Sequence, residues 1–142
     1  MTSIIPDEGL DWYRNKGIQD NDVTNEFVYD IAVGDGSQTV SSTDTQLNNE
    51  VYRANEDGPN ASIDAGNSTG KYLVEVSVTG GTEVPGGTSV TELGVWARDP
   101  SMNQSNVSDG DDKMIYHEAF SGKTVNNGET KTFTIELTIT NT

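Results

Sequence analysis

The chain has 142 residues, and its 23 acidic and 8 basic side chains give a formal net charge of −15. Its length suits one domain, residues 1–142, and the absence of cysteine excludes disulfides and thiolate metal sites. Nucleic-acid binding is not expected, because the few Lys and Arg residues are scattered. Membrane insertion is not expected either, because no apolar run reaches the roughly 20 residues that span a bilayer.

The acidity predicts adaptation to high salt. Exposed charges interact over about 10 Å in dilute buffer, whereas at molar salt the screening length falls to about 3 Å. The alternative is an acidic protein from an organism that lives at ordinary salt concentration. The start of the chain lacks the basic flank and apolar stretch of a signal peptide, so we expect synthesis in the cytoplasm.

Residues 1–17 form the first predicted element, a short helix. Pro6 suits a first helical turn, two acidic residues follow it, and Gly17 is the predicted end. Four apolar side chains of this segment are expected to form an interface, or alternatively to cap the core of the domain: Ile4, Ile5, Leu10 and Trp12.

The next segment predicts a strand followed by a second short helix. Residues 26–33 alternate between apolar and mixed positions, which is typical of a half-buried strand. Residues 34–36 read Gly-Asp-Gly and indicate a turn. The Ser-Ser-Thr run at residues 41–43 offers N-cap side chains, so a helix is predicted from there through Val51.

The middle of the chain predicts a β-hairpin with a long loop. Residues 71–79 alternate almost without exception and form the best strand of the sequence. The stretch from Gly80 to Gly87 is a connection, and residues 90–98 return as a strand.

Residues 100–112 predict an exposed loop, because they carry no apolar pattern and are rich in Ser, Asn and Asp. Its carboxylates are weak candidates for a hard-cation site, but their spacing lacks the distributed ligands and closing Glu of an EF-hand: Asp109, Asp111 and Asp112. No cofactor is predicted.

The C-terminal part predicts two more strands. Residues 114–120 are strand-like, Asn127-Gly128 is a turn signal, and residues 131–140 alternate again. The whole pattern predicts a mainly β fold: an antiparallel β-sandwich, or a barrel-like variant, with the two short helices.

Catalysis is not expected. His117 is the sole histidine, and alternation places it opposite Tyr116, on a face predicted to be exposed. No serine lies in a Gly-x-Ser-x-Gly elbow. Trp96 is the one candidate for an exposed aromatic platform that a glycan would need. Arg53 is expected to pair with a neighbouring acid in a fixed bridge.

Four segments follow one another along the chain: residues 31–36 (IAVGDG), 42–53 (STDTQLNNEVYR), 91–96 (TELGVW) and 124–130 (TVNNGET). This succession resembles small structural proteins of tailed viruses and proviruses, especially those of halophilic archaea. The resemblance covers most of the chain and implies a component of a tail, baseplate or fibre, without catalytic residues. Fibre members carry further sequence, whereas this chain ends directly after its last strand, so receptor binding through a distal shaft is not expected.

The leading hypothesis is therefore a non-enzymatic structural protein of the virion, made in the host cytoplasm. It would assemble with copies of itself and with other virion proteins in the tail, baseplate or fibre-attachment region of a halophilic archaeal virus. The alternatives are a capsid decoration or turret protein, and a module that binds a receptor or glycan at the virion surface.

Overall fold

One helix and eight strands occupy the part of the chain that the computed structural model describes, which is residues 2–14, 28–55, 59–64, 71–97 and 113–138. In chain order they are β1 (Thr2–Ile4), α1 (Asp7–Arg14), β2 (Val28–Gly34), β3 (Glu50–Asn55), β4 (Ala61–Asp64), β5 (Lys71–Thr79), β6 (Thr88–Ala97), β7 (Lys113–Val125) and β8 (Thr130–Thr138).

The strands form two antiparallel sheets. The larger sheet has the order β1-β7-β6-β2-β3, and the smaller has the order β4-β5-β8. The prediction of a mainly β, antiparallel, sandwich-like fold is confirmed.

The main core lies between the two sheets and is built from alternate side chains of six strands. Its fully buried members include Ile31, Val33, Val74, Val76, Val78, Leu93, Val95 and Ile115, with Phe133 and Ile135 nearly as buried. The alternation predicted in β5 and β8 is what places Val or Ile at every second position of the inner face.

The predicted hairpin of residues 71–79 and 90–98 is wrong. β5 lies in the smaller sheet, between β4 and β8, whereas β6 lies in the larger sheet, between β7 and β2. Both strands have a strongly apolar face. These faces pack against each other across the core, and the strands are not hydrogen-bonded neighbours in one sheet. The glycine-containing loop after β5 therefore crosses from one sheet to the other. The predicted turn at Asn127-Gly128 is present, with Gly128 at φ +79°, and it makes a second crossing.

The predicted second helix is also wrong. Residues 41–49 form turns and bends, and β3 begins at Glu50. The backbone N–H groups of Asn48 and Asn49 donate to the carboxylate of Glu92 in β6. A distant partner thus takes hydrogen bonds that a helix would satisfy locally, and tertiary contacts override the N-cap signal.

The predicted N-terminal helix is present as α1, and its predicted end at Gly17 lies outside the described residues. α1 packs closely on β7, because a Cβ atom added at Gly9 would lie 2.7 Å from the Cα of Ile115 and from the carbonyl oxygen of Met114. The N–H of Asp7 donates to the carbonyl of Ser42 at 2.8 Å. In the described part of the chain, α1 is too short and too polar to serve as a bilayer-spanning helix.

Candidate functional site

The outer face of the larger sheet is covered by residues 35–49, which we call the covering segment. Under it lies a second, small apolar cluster of Ala32, Leu47, Trp96 and Met114. Leu47 is the member that the covering segment contributes, and it is 4% exposed. This face of the sheet is therefore a second buried layer, and not a solvated surface.

Three ionisable side chains meet in this layer, and we call them the buried carboxylate–histidine cluster: Asp44, Glu92 and His117. Nδ1 of His117 lies 2.7 Å from Oδ2 of Asp44, and Nε2 lies 2.9 Å from Oε2 of Glu92. His117 and Glu92 are completely buried, while the Asp44 side chain is 18% exposed. Neighbouring strands supply His117 and Glu92, and the covering segment supplies Asp44.

The geometry requires a charged histidine. An ionised carboxylate only accepts hydrogen bonds, so a ring nitrogen that faces one must carry a proton, and here both nitrogens do. Burial lowers the pKa of His117, but hydrogen bonds to Glu92 and Asp44, and the charges of both, outweigh it and raise that pKa above 6.5. The imidazolium is held between two carboxylates.

Glu92 also fixes the covering segment to the sheet. Its Oε1 accepts the N–H of Asn49 at 2.8 Å and that of Gly36 at 3.2 Å, and its Oε2 accepts the N–H of Asn48 at 3.0 Å. Burial raises the pKa of Glu92. The hydrogen bonds from His117 and from the Asn49 and Asn48 amides lower that pKa by more than burial raises it, so the pKa lies below its ordinary value. Both ends of the covering segment are thus bound by one ionised carboxylate.

A second charged group lies on the same face, around Arg53 in β3. Its guanidinium donates to both carboxylate oxygens of Glu50, at 2.9 and 2.7 Å, and to Asp30 at 3.0 Å. It also stacks on the ring of Trp96, with 3.9 Å from Cζ to the ring centroid. The predicted fixed bridge of Arg53 with a neighbouring acid is confirmed.

The predicted exposure of His117 is wrong, although its face was assigned correctly. At a bulge in β7, Ile115 and Tyr116 both contact the main core, and His117 faces the opposite side. That side would be solvated on a bare sheet, but the covering segment buries it. Strand alternation identifies the face of a side chain and does not reveal whether another segment covers that face.

Trp96 is not an exposed platform. It is 2% exposed, Arg53 stacks on its ring, and its indole N–H donates to the carbonyl of Thr45 at 3.1 Å. Its ring is therefore unavailable to stack on a sugar in this arrangement.

The four predicted interface residues fall into three groups. Ile5 and Leu10 are the large apolar side chains that the described part of the chain exposes, by 38% and 45%. Ile4 is half-buried and lies beside His117 in the ladder of β1 with β7. The side chain of Trp12 lies outside the described residues. We call Ile5 and Leu10 the N-terminal patch.

The weak candidates for a cation site, Asp109, Asp111 and Asp112, all lie outside the described residues. Among the residues that are described, no group of three or more acidic, histidine or cysteine side chains is arranged to hold a metal ion.

Comparison with family models, with curated proteins and with solved structures finds no match to this chain.

Sequence reasoning missed the buried carboxylate–histidine cluster, because its members lie far apart in the chain. One signal was available: Glu92 lies in the interior of a strongly apolar strand, where a carboxylate needs a partner. The site can hold a segment in place and respond to protonation. Both ring nitrogens of His117 are engaged, so the described arrangement leaves neither one to act as a general base.

Proposed function

We propose that this chain is a non-enzymatic structural protein of a virus particle. It assembles with copies of itself and docks to other virion proteins in the tail, baseplate or fibre-attachment region of a tailed virus of a halophilic archaeon. The observation that carries the proposal is the N-terminal patch, in which Ile5 and Leu10 stand exposed at the edge of a strongly acidic molecule.

The patch suits a contact surface because of where it lies. Two large apolar side chains close together in the chain are exposed, whereas the other large apolar residues whose side chains are described are buried or half-buried. The patch is also anchored, since α1 packs on β7 through Gly9 and Asp7 bonds to the covering segment. A rigid apolar surface loses little conformational freedom when it binds.

The inner chemistry of the domain supports a structural role. The sole histidine of the chain serves to hold the covering segment, and Arg53 serves to bridge β3 with β2 and Trp96. Both groups use their charges within the fold. The segments that carry the resemblance to viral structural proteins, residues 42–53 and 91–96, meet at these two groups.

The patch provides the test of this proposal. Replacement of both residues, Ile5→Ser with Leu10→Ser, should lower the mass of the species that the purified chain forms in molar potassium chloride, as measured by light scattering. The matched control replaces two exposed residues outside the patch, Gln38→Ser with Thr124→Ser, and should leave the mass unchanged. An unchanged mass for the patch variant, with wild-type assembly present, would remove the patch from the interface.

A further inference from the structure

We propose that the smaller sheet is completed by an extended, basic segment of another protein, which adds as a strand to the free edge of β8. This inference rests on the proposed function, because it specifies how the chain docks to a different virion protein. It concerns a surface on the smaller sheet, separate from the N-terminal patch.

β8 is the longest edge strand of the described fold, and neither a proline nor a bulge interrupts it. It has nine residues, Thr130–Thr138, and among the described strands it pairs with β5 alone. Its ladder with β5 shows no register shift, and it contains no proline. The other edge strands of the described fold are shorter: β1 has three residues, β3 six and β4 four. A long, regular edge is a template for another strand.

The register shows which backbone groups the edge presents. The N–H of Gly80 donates to the carbonyl of Glu129 at 3.0 Å, so Gly80 and Glu129, which lie just beyond the β5–β8 ladder, form a hydrogen-bonded pair. Hydrogen-bonded pairs alternate along an antiparallel ladder, so the odd-numbered residues of β8 bond to β5. The N–H and C=O groups of Thr132 and Thr134 therefore point to the free edge.

Beside this edge the core is incompletely covered. The larger sheet has five strands and the smaller three, and the inner side chains of β6, such as Leu93 and Val95, are buried. On β7 the inner aromatic side chains, Tyr116 and Phe120, are only half-buried, and Phe120 stacks on Phe133 of β8 at 6.0 Å between ring centroids. A fourth strand on the smaller sheet would cover them.

The same geometry favours an extended segment, and not a second copy of the fold, as the partner of β8. A strand added at β8 would lie above β7, whose inner face already contacts β8. If β8 of a second copy paired with β8 of the first, the larger sheet of the second copy would overlap the space that β7 and β1 of the first copy occupy. A segment without a second sheet beneath it meets no such obstruction, and alternate apolar side chains on it would contact Tyr116 and Phe120.

Charge selects a basic segment. In a strand that adds to β8, the residues between the apolar positions point to the outer face of the smaller sheet, where Glu75 of β5 and Glu136 of β8 lie. The chain as a whole carries −15. Lysine or arginine between the apolar positions would be attracted to this surface, whereas an acidic strand would be repelled.

The test uses two nine-residue peptides as probes, one of alternating valine and lysine and one of alternating valine and glutamate. The full chain should bind the lysine peptide and not the glutamate peptide. Affinity for Thr134→Pro should be about tenfold weaker than for Thr134→Ala, because proline removes one main-chain donor at the edge. Neither variant loses a ladder bond to β5. Equal affinity of the two variants would overturn the proposal.

Amide exchange on the wild-type chain gives an answer even if the proline variant fails to fold. Bound lysine peptide should slow the exchange of Thr132 and Thr134, while Lys131 and Phe133, bonded to β5, stay protected throughout. Unchanged exchange at Thr132 and Thr134 would contradict strand addition. If the exchange of these amides slows when the protein concentration is raised without peptide, the occupant is a second copy, and the assignment to a basic segment is wrong. Either failure leaves the light-scattering test of self-assembly unaffected.

Discussion

At His117 both ring nitrogens face carboxylate oxygens, at 2.7 and 2.9 Å, and the histidine itself is completely buried. The charge of this one residue therefore contributes to the binding of the covering segment through Asp44 and Glu92. Because the chain has a single histidine, its titration can be observed without ambiguity.

The first prediction concerns the protonation of His117. The nitrogen and carbon NMR shifts of the ring should show both nitrogens protonated at neutral pH, with a pKa above 6.5. Replacement of either carboxylate, by Asp44→Asn or Glu92→Gln, should lower that pKa, because each removes a hydrogen-bond acceptor and a negative charge. A wild-type ring that titrates at or below the ordinary value would contradict the described geometry.

The second prediction concerns the stability that Glu92 supplies. Glu92→Gln should destabilise the fold by about 3 kcal/mol, since it leaves a buried imidazolium short of one partner. The control is Glu129→Gln, whose carboxylate is 40% exposed and lies 3.7 Å from Lys131; exposed pairs contribute about 1 kcal/mol or less. Denaturant unfolding at constant salt measures both. Similar losses for the two variants would show that burial of Glu92 does not matter.

The third prediction is a pH dependence with a defined sign. The pKa of His117 is raised in the folded state, so its contribution to stability is complete below about 6.5 and is lost as pH rises through the folded value. The pKa of Glu92 is lowered, so its contribution is present above its unfolded value and is lost as pH falls through the folded one.

These two groups together should give greatest stability between the unfolded pKa values of Glu and His, roughly pH 4.5 to 6.5. The free energy of unfolding should decline on the alkaline side of that range. His117→Gln should flatten this alkaline decline, and unchanged curvature in that variant would assign the decline to other groups.

At the scale of elements, the contact between α1 and β7 depends on Gly9. The fourth prediction is that Gly9→Ala destabilises the fold by about 1 to 3 kcal/mol, because the new methyl group would meet the backbone of Met114 and Ile115. Leu10→Ala is the matched control on the exposed side of the same helix. Amide exchange in α1 should accelerate in the first variant and not in the second. Equal exchange in both would mean that α1 does not pack on β7 through Gly9.

The sequence predicts the positions of the strands better than their pairing. Strands with one apolar face, such as β5 and β8, were predicted almost to the residue, because a period of two is visible without knowledge of the partner strand. The pairing of β5 with β8, and of β6 with β7, was not predicted. Which sheet a strand joins depends on contacts that no local pattern contains.

The covering segment illustrates the same limit at the candidate site. Residues 41–49 have good N-cap side chains, yet their backbone bonds to Glu92, more than 40 positions away in the chain. Asp44 and His117 are likewise 73 positions apart. The N-terminal patch, by contrast, was predictable in part, because Ile5 and Leu10 lie in one short amphipathic segment.

At the scale of the whole molecule, the net charge of −15 sets the conditions for association. Two such chains repel each other in dilute buffer, whereas molar salt screens that repulsion. For the proposed self-assembly through the small N-terminal patch, we therefore expect the contribution of the patch to exceed the repulsion only when the charges are screened. This balance links the composition of the chain to the function proposed for it.

The most direct test of self-assembly is light scattering coupled to size exclusion, on the purified wild-type chain in molar and in dilute potassium chloride. We expect a discrete oligomer in molar salt that dissociates into single folded chains when the salt is diluted. A folded monomer at both salt concentrations would contradict self-assembly, and an oligomer that is indifferent to salt would contradict control of assembly by the net charge.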